Sequence, residues 1–508
     1  MPKDEAIVAG AKLGGYFGIG EGRTVLGDLL IGGSDTLLYL HDSEPFFITP
    51  GQPYALRGVL HNRTKVTVIG SSVRSSMGSA RRLDEQFYFT ELLPAFVVSG
   101  DHHLEMETPT ISRICFHVDD AEEIFYDFDA LGHVIDARPI IDQVIKENER
   151  LIDRTIATGP APEIVYFAGR IELANIETVI GRVRIFHSPL PSAPLSSPRF
   201  VAIKNRTLVE IEFPEPQLLQ PALDRLLSLR RFLGLIAGRP QNIDALWLHT
   251  VEDDQPRKLE VYWTRRPSRA TLGEERPPHA SEILVSAVHE HDEFCITLQR
   301  WLAAEPEQLE ARIRFADSFD QQCRFPIDRL VGSANMFDIL PSSLAPAVPA
   351  LAEKVVAAAD VARKAFKALP DSPDRQSILG ALGRLGRPTL RSKVRYRAGI
   401  VSAALSTPLT DLDLVTDEAI KCRNFYVHGS EGSFSYAEHP DVRVFLTGAL
   451  ECLFAASALI EAGWDIARWH ANGSVMAHPF NRVLHEWDHY AARIRTLREE
   501  AKVSQNGA

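Results

Sequence analysis

Lys421-Cys422-Arg423-Asn424-Phe425-Tyr426-Val427-His428-Gly429 closes an amphipathic run from Asp411 to Val427, in which Leu414, Val415, Ile420 and Val427 recur at roughly helical spacing. Gly429 supplies a helix stop and puts His428 in the last turn. At about 100° per residue, Asn424 and His428 share one face, whereas Arg423 and His428 lie about 140° apart around the axis. This offset implies that Arg423 and His428 do not simply pair within the helix. They flank a strip that faces one substrate or a second subunit.

The chemistry open to such a strip is limited. An imidazole with an ordinary pKa of about 6.5 takes or gives a proton at neutral pH, and a guanidinium fork fits two phosphate oxygens. Together they suit a ribose 2′-hydroxyl attacking its neighbouring phosphate. His428 would move the proton, Arg423 would hold the charge growing on the phosphorane, and Asn424 would orient a phosphate or the imidazole. That chemistry calls for no metal and no cofactor. The bland alternative is a surface arginine beside a histidine that the helix C-terminus favours electrostatically.

Arg423-Asn424-x-x-x-His428, at a helix end in the C-terminal third, resembles the Arg-x4-His signature of HEPN ribonucleases, including the Asn straight after the Arg. The N-terminal half resembles the first domain of ApeA proteins, bacterial anti-phage factors with a C-terminal HEPN domain. Gly18-Ile19-Gly20, Val25-Leu26-Gly27-Asp28-Leu29, Leu56-Arg57-Gly58-Val59-Leu60 and Lys65-Val66-Thr67-Val68 carry that likeness. The two resemblances imply a metal-independent endoribonuclease that leaves 2′,3′-cyclic phosphate ends and works as a homodimer through its HEPN domain. They also imply a role in abortive infection. A phage-derived trigger would act on the β-rich half, and the nuclease would then cut RNA, with tRNA as a candidate. A non-catalytic HEPN-type binding or assembly module with a ligand-recognising β-rich half is the alternative of a different class.

The 508 residues give room for two or three domains, and 45% hydrophobic and 24% charged residues suit a globular chain. Met1 to Gly15 has no apolar run of signal-peptide length and no stretch reads as a membrane span, so the expected setting is cytoplasmic. Cys115, Cys295, Cys323, Cys422 and Cys452 are scattered and odd in number, which fits free thiols. A net charge of −12 excludes a protein that coats nucleic acid with its whole surface. RNA contact must therefore be local. Between Arg375 and Thr410 seven basic residues occur with no acidic one, and Arg387, Arg391, Lys393, Arg395 and Arg397 are the candidate RNA-binding residues; a solvated helix face is the alternative.

Along the chain, short runs rich in Val, Ile, Phe and Tyr fill residues 14–213, including Thr24 to Ile31, Tyr54 to His61, Lys65 to Ile69, Ile111 to Val118 and Ile164 to Phe167. Gly14, Gly15, Gly18, Gly20 and Gly22 read as tight turns at the sheet entry. A helix over Ile140 to Ala157, a long Pro-rich loop over His187 to Pro198, a helix over Gln217 to Ile236 and a polar segment over Arg265 to His279 follow. The remainder is helical, with Val355, Val356, Ala359, Val361, Ala362 and Ala365 forming a stripe suited to close packing. The expected fold is α+β: a β-rich, antiparallel, sandwich-like N-terminal region (1–305) as sensor, then an all-α HEPN bundle (306–508).

His485-Glu486-Trp487-Asp488-His489 matches H-E-x-x-H, which raises a zinc hydrolase as a third possibility. Asp488 at an interior position and the 19 residues left after His489 argue instead for a solvent-facing helix and no metal.

Overall fold

The computed structural model describes residues 10–20, 22–70, 72–82, 85–134, 136–152, 155, 157–192, 202–252, 255–267, 277–347, 350–472 and 475–506. The expectations for Met1 to Gly15, His187 to Pro198 and Arg265 to His279 lie partly outside the described residues. Contacts divide the chain into two compact units, one running to Leu302 and the other taking up from Ala303.

In the first unit, fourteen described strands join in one sheet, and every neighbouring pair is antiparallel. From one edge they run Glu172–Thr178, Gly181–His187, Thr207–Gln217, Ile111–Val118, Ile243–Glu252, Gln255–Trp263 and Phe96–Gly100. Lys65–Gly70, Tyr54–Leu60, Lys12–Gly18, Thr24–Leu30, Leu37–Asp42, Glu85–Leu93 and Ser72–Arg82 complete the order. The β-rich antiparallel expectation is met, but as one continuous ladder. Phe96–Gly100, not foreseen in the sequence, pairs with Gln255–Trp263 on one side and Lys65–Gly70 on the other, and so joins what would otherwise be two sheets.

Alternation sets the core. Along Tyr54–Leu60 every second side chain is buried, and Phe17, Leu29, Leu38, Leu40, Val66, Val68 and Leu92 meet in one apolar cluster. At the other end of the sheet the helix Leu219–Ala237 buries Leu223, Leu226, Phe232 and Leu233, and Gly238 ends it in the left-handed region. The glycine-rich entry needs correction. Gly14, Gly15 and Gly18 lie inside the strand Lys12–Gly18, and of the five only Gly20 and Gly22 take positive φ. A Cβ on Gly15 would stand 2.6 Å from the Val59 carbonyl oxygen, so the glycine serves the close approach of two strands.

One partly buried pairing in this unit makes stability depend on pH. His117 Nε2 lies 3.2 Å from Glu122 Oε1, and its Nδ1 lies 3.6 Å from Asp244 Oδ2. Burial alone would push the imidazole down, but Asp244 and Glu122 outweigh it, against opposition from Arg206, and raise the pKa to about 9. Because the folded value lies above the ordinary one, the contribution is complete below about pH 6.5 and is lost as pH climbs through about 9. Melting of the β-rich unit should therefore shift to lower temperature between those limits, and His117→Gln should flatten the curve. A wild-type melting temperature that stays level across the window would contradict the pairing.

The second unit is helical. Pro440–Ala462 runs through its centre and packs against Glu305–Phe319, Ile327–Asp338, Leu390–Ala404, Leu412–His428 and Pro479–Asn506. By length and composition this helix could cross a membrane, contrary to the expectation of no such stretch, but 72% of its apolar window is buried among the other helices. Two buried arginines bond to it. Arg329 bonds both oxygens of Glu451 at 2.8 and 2.7 Å, and Arg397 bonds Ser457 at 2.9 Å and Glu461 at 2.6 Å. The small-residue stripe does not pack as expected. Glu353–Lys367 and Pro373–Gly383 form a hairpin in which neither helix has a buried residue, and Val361 is 69% exposed.

Candidate active site

The helix Leu412–His428 is positioned from both ends. At its start Asp411 takes the left-handed conformation (φ 49°) and pairs with Arg495, while the Thr410 carbonyl accepts a 2.8 Å bond from Trp487 Nε1. Thr410 Oγ1 also donates to Asp488 Oδ1 at 2.6 Å. Trp487 and Asp488, the middle of the H-E-x-x-H segment, thus brace the start of this helix. His485 and His489 flank the buried Trp487 on exposed positions, and among the described residues no three His, Cys, Asp or Glu side chains gather to hold a metal.

One face of the helix buries Val415, Glu418, Ala419, Ile420 and Cys422. Val427, counted with that face in the sequence, is 41% exposed, because the periodicity carries it past the bundle's edge. Gly429 ends the helix at φ 63°, and its N–H returns to the Phe425 carbonyl at 3.1 Å. The chain after it is pinned by Tyr436, whose buried hydroxyl donates to Glu418 Oε1 at 2.6 Å. Burial and the charge of Glu418 push that phenol up, so it stays a donor.

Arg423, Asn424 and His428 come together at the end so formed. Arg423 Nη1 lies 3.0 Å from Asn424 Oδ1 and 3.0 Å from His428 Nε2. The expectation that Arg423 and His428 do not pair is overturned: an offset of about 140° separates their Cα directions, but the long arginine stem curls around the helix and reaches the ring. A guanidinium only donates, so His428 Nε2 accepts and carries its lone pair toward Arg423. Nη2 donates to Asn335 Oδ1 at 3.0 Å, and Nε is buried without a partner. Asn335 was not singled out from the sequence; its only mark is a polar residue among the buried Leu330, Ala334, Met336 and Phe337.

The five basic residues upstream do not form one open surface. Arg397 is 1% exposed and serves Ser457 and Glu461, so it is withdrawn from RNA contact; a charge read from sequence carries no sign of being spent inside. Arg391 and Arg395 both pair with Asp417, at 3.1 and 2.8 Å, and Lys393 donates to the Leu340 carbonyl at 3.3 Å. Arg387 is exposed.

An antiparallel β-sheet unit followed by a helical bundle that carries Arg-Asn-x3-His at a helix end is the make-up of a HEPN protein with a large accessory domain. Residues 331–467 match the family described as Apea-like HEPN, and residues 12–301 match ApeA N-terminal domain 1. The second match alone takes in more than half of the sequence, and the chain belongs to the ApeA family. No curated protein and no solved structure matches it. HEPN domains are generally ribonucleases, and they commonly bind RNA and dimerise.

Proposed function

We propose that this chain is a metal-independent endoribonuclease of anti-phage defence, with His428 as proton-transfer group, Arg423 as phosphorane stabiliser and Asn424 as orienting group. The observation that supports it best is the 3.0 Å approach of Arg423 Nη1 to His428 Nε2 at an exposed helix end. A phosphate entering there is an anion and competes for Arg423 against a neutral ring. It takes the guanidinium and leaves Nε2 open to the 2′-hydroxyl proton.

The 2′-oxygen then bonds to phosphorus, Arg423 balances the charge on the equatorial oxygens, and the bond to the 5′-oxygen breaks. The leaving oxygen takes a proton from an imidazolium, supplied by a second copy in a homodimer. The products are a 2′,3′-cyclic phosphate and a 5′-hydroxyl. Of the basic patch, exposed Arg387 and half-exposed Arg391 are the residues to guide RNA. In this account the β-rich unit senses a phage-derived cue in the cytoplasm, restrains the nuclease until then, and tRNA is the target. Plating efficiency of phage on bacteria producing wild type or His428→Ala tests the role: protection by wild type alone supports it, and equal protection by both makes the helix end a binding module.

A further inference from the structure

Arg423 reaches three side-chain acceptors. Asn424 and His428 sit on its own helix and belong to the reacting set, while Asn335 arrives from the separate helix Ile327–Asp338. We infer that Asn335 is a positioning residue that holds the Arg423 guanidinium in place while its contact to His428 is exchanged for the substrate phosphate. The inference rests on the ribonuclease reading and adds to it a residue outside the Arg-x4-His pattern.

The hydrogen count makes the exchange specific. The two N–H groups of Nη1 are taken by Asn424 and His428, one N–H of Nη2 is taken by Asn335, and Nε is buried. A phosphate therefore gains Arg423 by displacing an acceptor on Nη1 and by using the second N–H of Nη2. When His428 lets go, Asn424 still holds Nη1 from Arg423's own helix, and the anchor on Nη2 from a separate helix is the second point that keeps the flexible arginine's fork in its plane. Asn335 supplies that anchor as a neutral oxygen, which holds the cation without cancelling its charge.

The anchor is itself rigid. Ser333, two residues before Asn335, bonds Glu451 Oε1 at 3.0 Å, and Arg329 bonds both oxygens of the same carboxylate. Leu330, Ala334, Met336 and Phe337 are fully buried around it. A side chain on such a helix can fix a partner to the tolerance that catalysis needs.

The test uses the purified full-length chain and an RNA with a mapped cut site. Asn335→Leu keeps the size and removes the acceptor; its rate at saturating RNA should fall roughly 10- to 100-fold. Its half-saturating RNA concentration and its melting temperature should stay close to wild type. Asn335→Asp restores an acceptor at the same place and should return the rate to within roughly tenfold of wild type. If His428→Ala is inactive while Asn335→Leu cuts like wild type, the inference falls and the nuclease reading stands. A lowered melting temperature in Asn335→Leu that Asn335→Asp repairs without restoring the rate would make Asn335 merely structural, which also overturns it. If wild type and His428→Ala leave the RNA equally intact, the nuclease reading falls and takes this inference with it.

Discussion

His428→Ala should cleave RNA about 100- to 10,000-fold more slowly than wild type while binding it as well. The ring is exposed at the helix end, so its removal opens no cavity and leaves no buried group unpaired. Arg423→Ala should cost at least as much, since it removes the guanidinium set against the phosphorane. Arg423→Lys should not recover the loss: a compact ammonium cannot serve Asn335 and Asn424 and still present a flat fork to phosphate. The double variant Arg423→Ala/His428→Ala should be little worse than either single one, because the two groups act as a unit. Additive losses in single-turnover rates would mean that the 3.0 Å approach has no part in the chemistry.

Glu451→Ala should destabilise the helical unit by about 3–5 kcal/mol, the usual cost of leaving one charge of a buried pair alone. Both side chains are only 4% exposed, and the Arg329 guanidinium would keep the carbonyls of Gln322 and Arg324 and the Phe325 ring, with no carboxylate among them. The double variant Arg329→Met/Glu451→Leu should recover most of the loss, since it leaves neither charge behind. Urea unfolding followed by the helical circular dichroism signal reads both effects. A Glu451→Ala midpoint equal to wild type would show that the pair is not what fixes Ile327–Asp338 against Pro440–Ala462. The same change should lower cleavage through Asn335, so rates for this variant need to be compared well below its unfolding midpoint.

Much of the fold was legible because pattern and structure follow one period. Ile111–Val118 and Ile164–Phe167 occupy the residues read from their β-branched and aromatic runs, and Gly238 and Gly429 end helices in the left-handed conformation that favours glycine. What stayed hidden depended on partners far away in sequence. Lys12–Gly18 reads as a turn because its glycines were selected by the approach of Tyr54–Leu60, and Ser72–Arg82 has no apolar alternation to announce it. The pairing of buried Arg397 with Glu461 spans 64 residues, so a cation that reads as part of a basic patch is spent inside the bundle.

At the site, residue types and spacing identified Arg423, Asn424 and His428, but not how they meet. Counting helical degrees places Cα atoms and ignores the reach of a long side chain, so the Arg423–His428 contact was missed. Asn335 lies 88 residues from Arg423, and nothing in one sequence joins the two.

The central claim is transesterification by His428 and Arg423, and the chemistry of the cut ends tests it most directly. RNA from phage-challenged bacteria producing the full-length chain would be sequenced with and without enzymatic opening of cyclic phosphates. The account predicts new 2′,3′-cyclic phosphate and 5′-hydroxyl ends with wild type and none with His428→Ala. New ends bearing 3′-hydroxyl and 5′-phosphate, or the same ends in both strains, would contradict it.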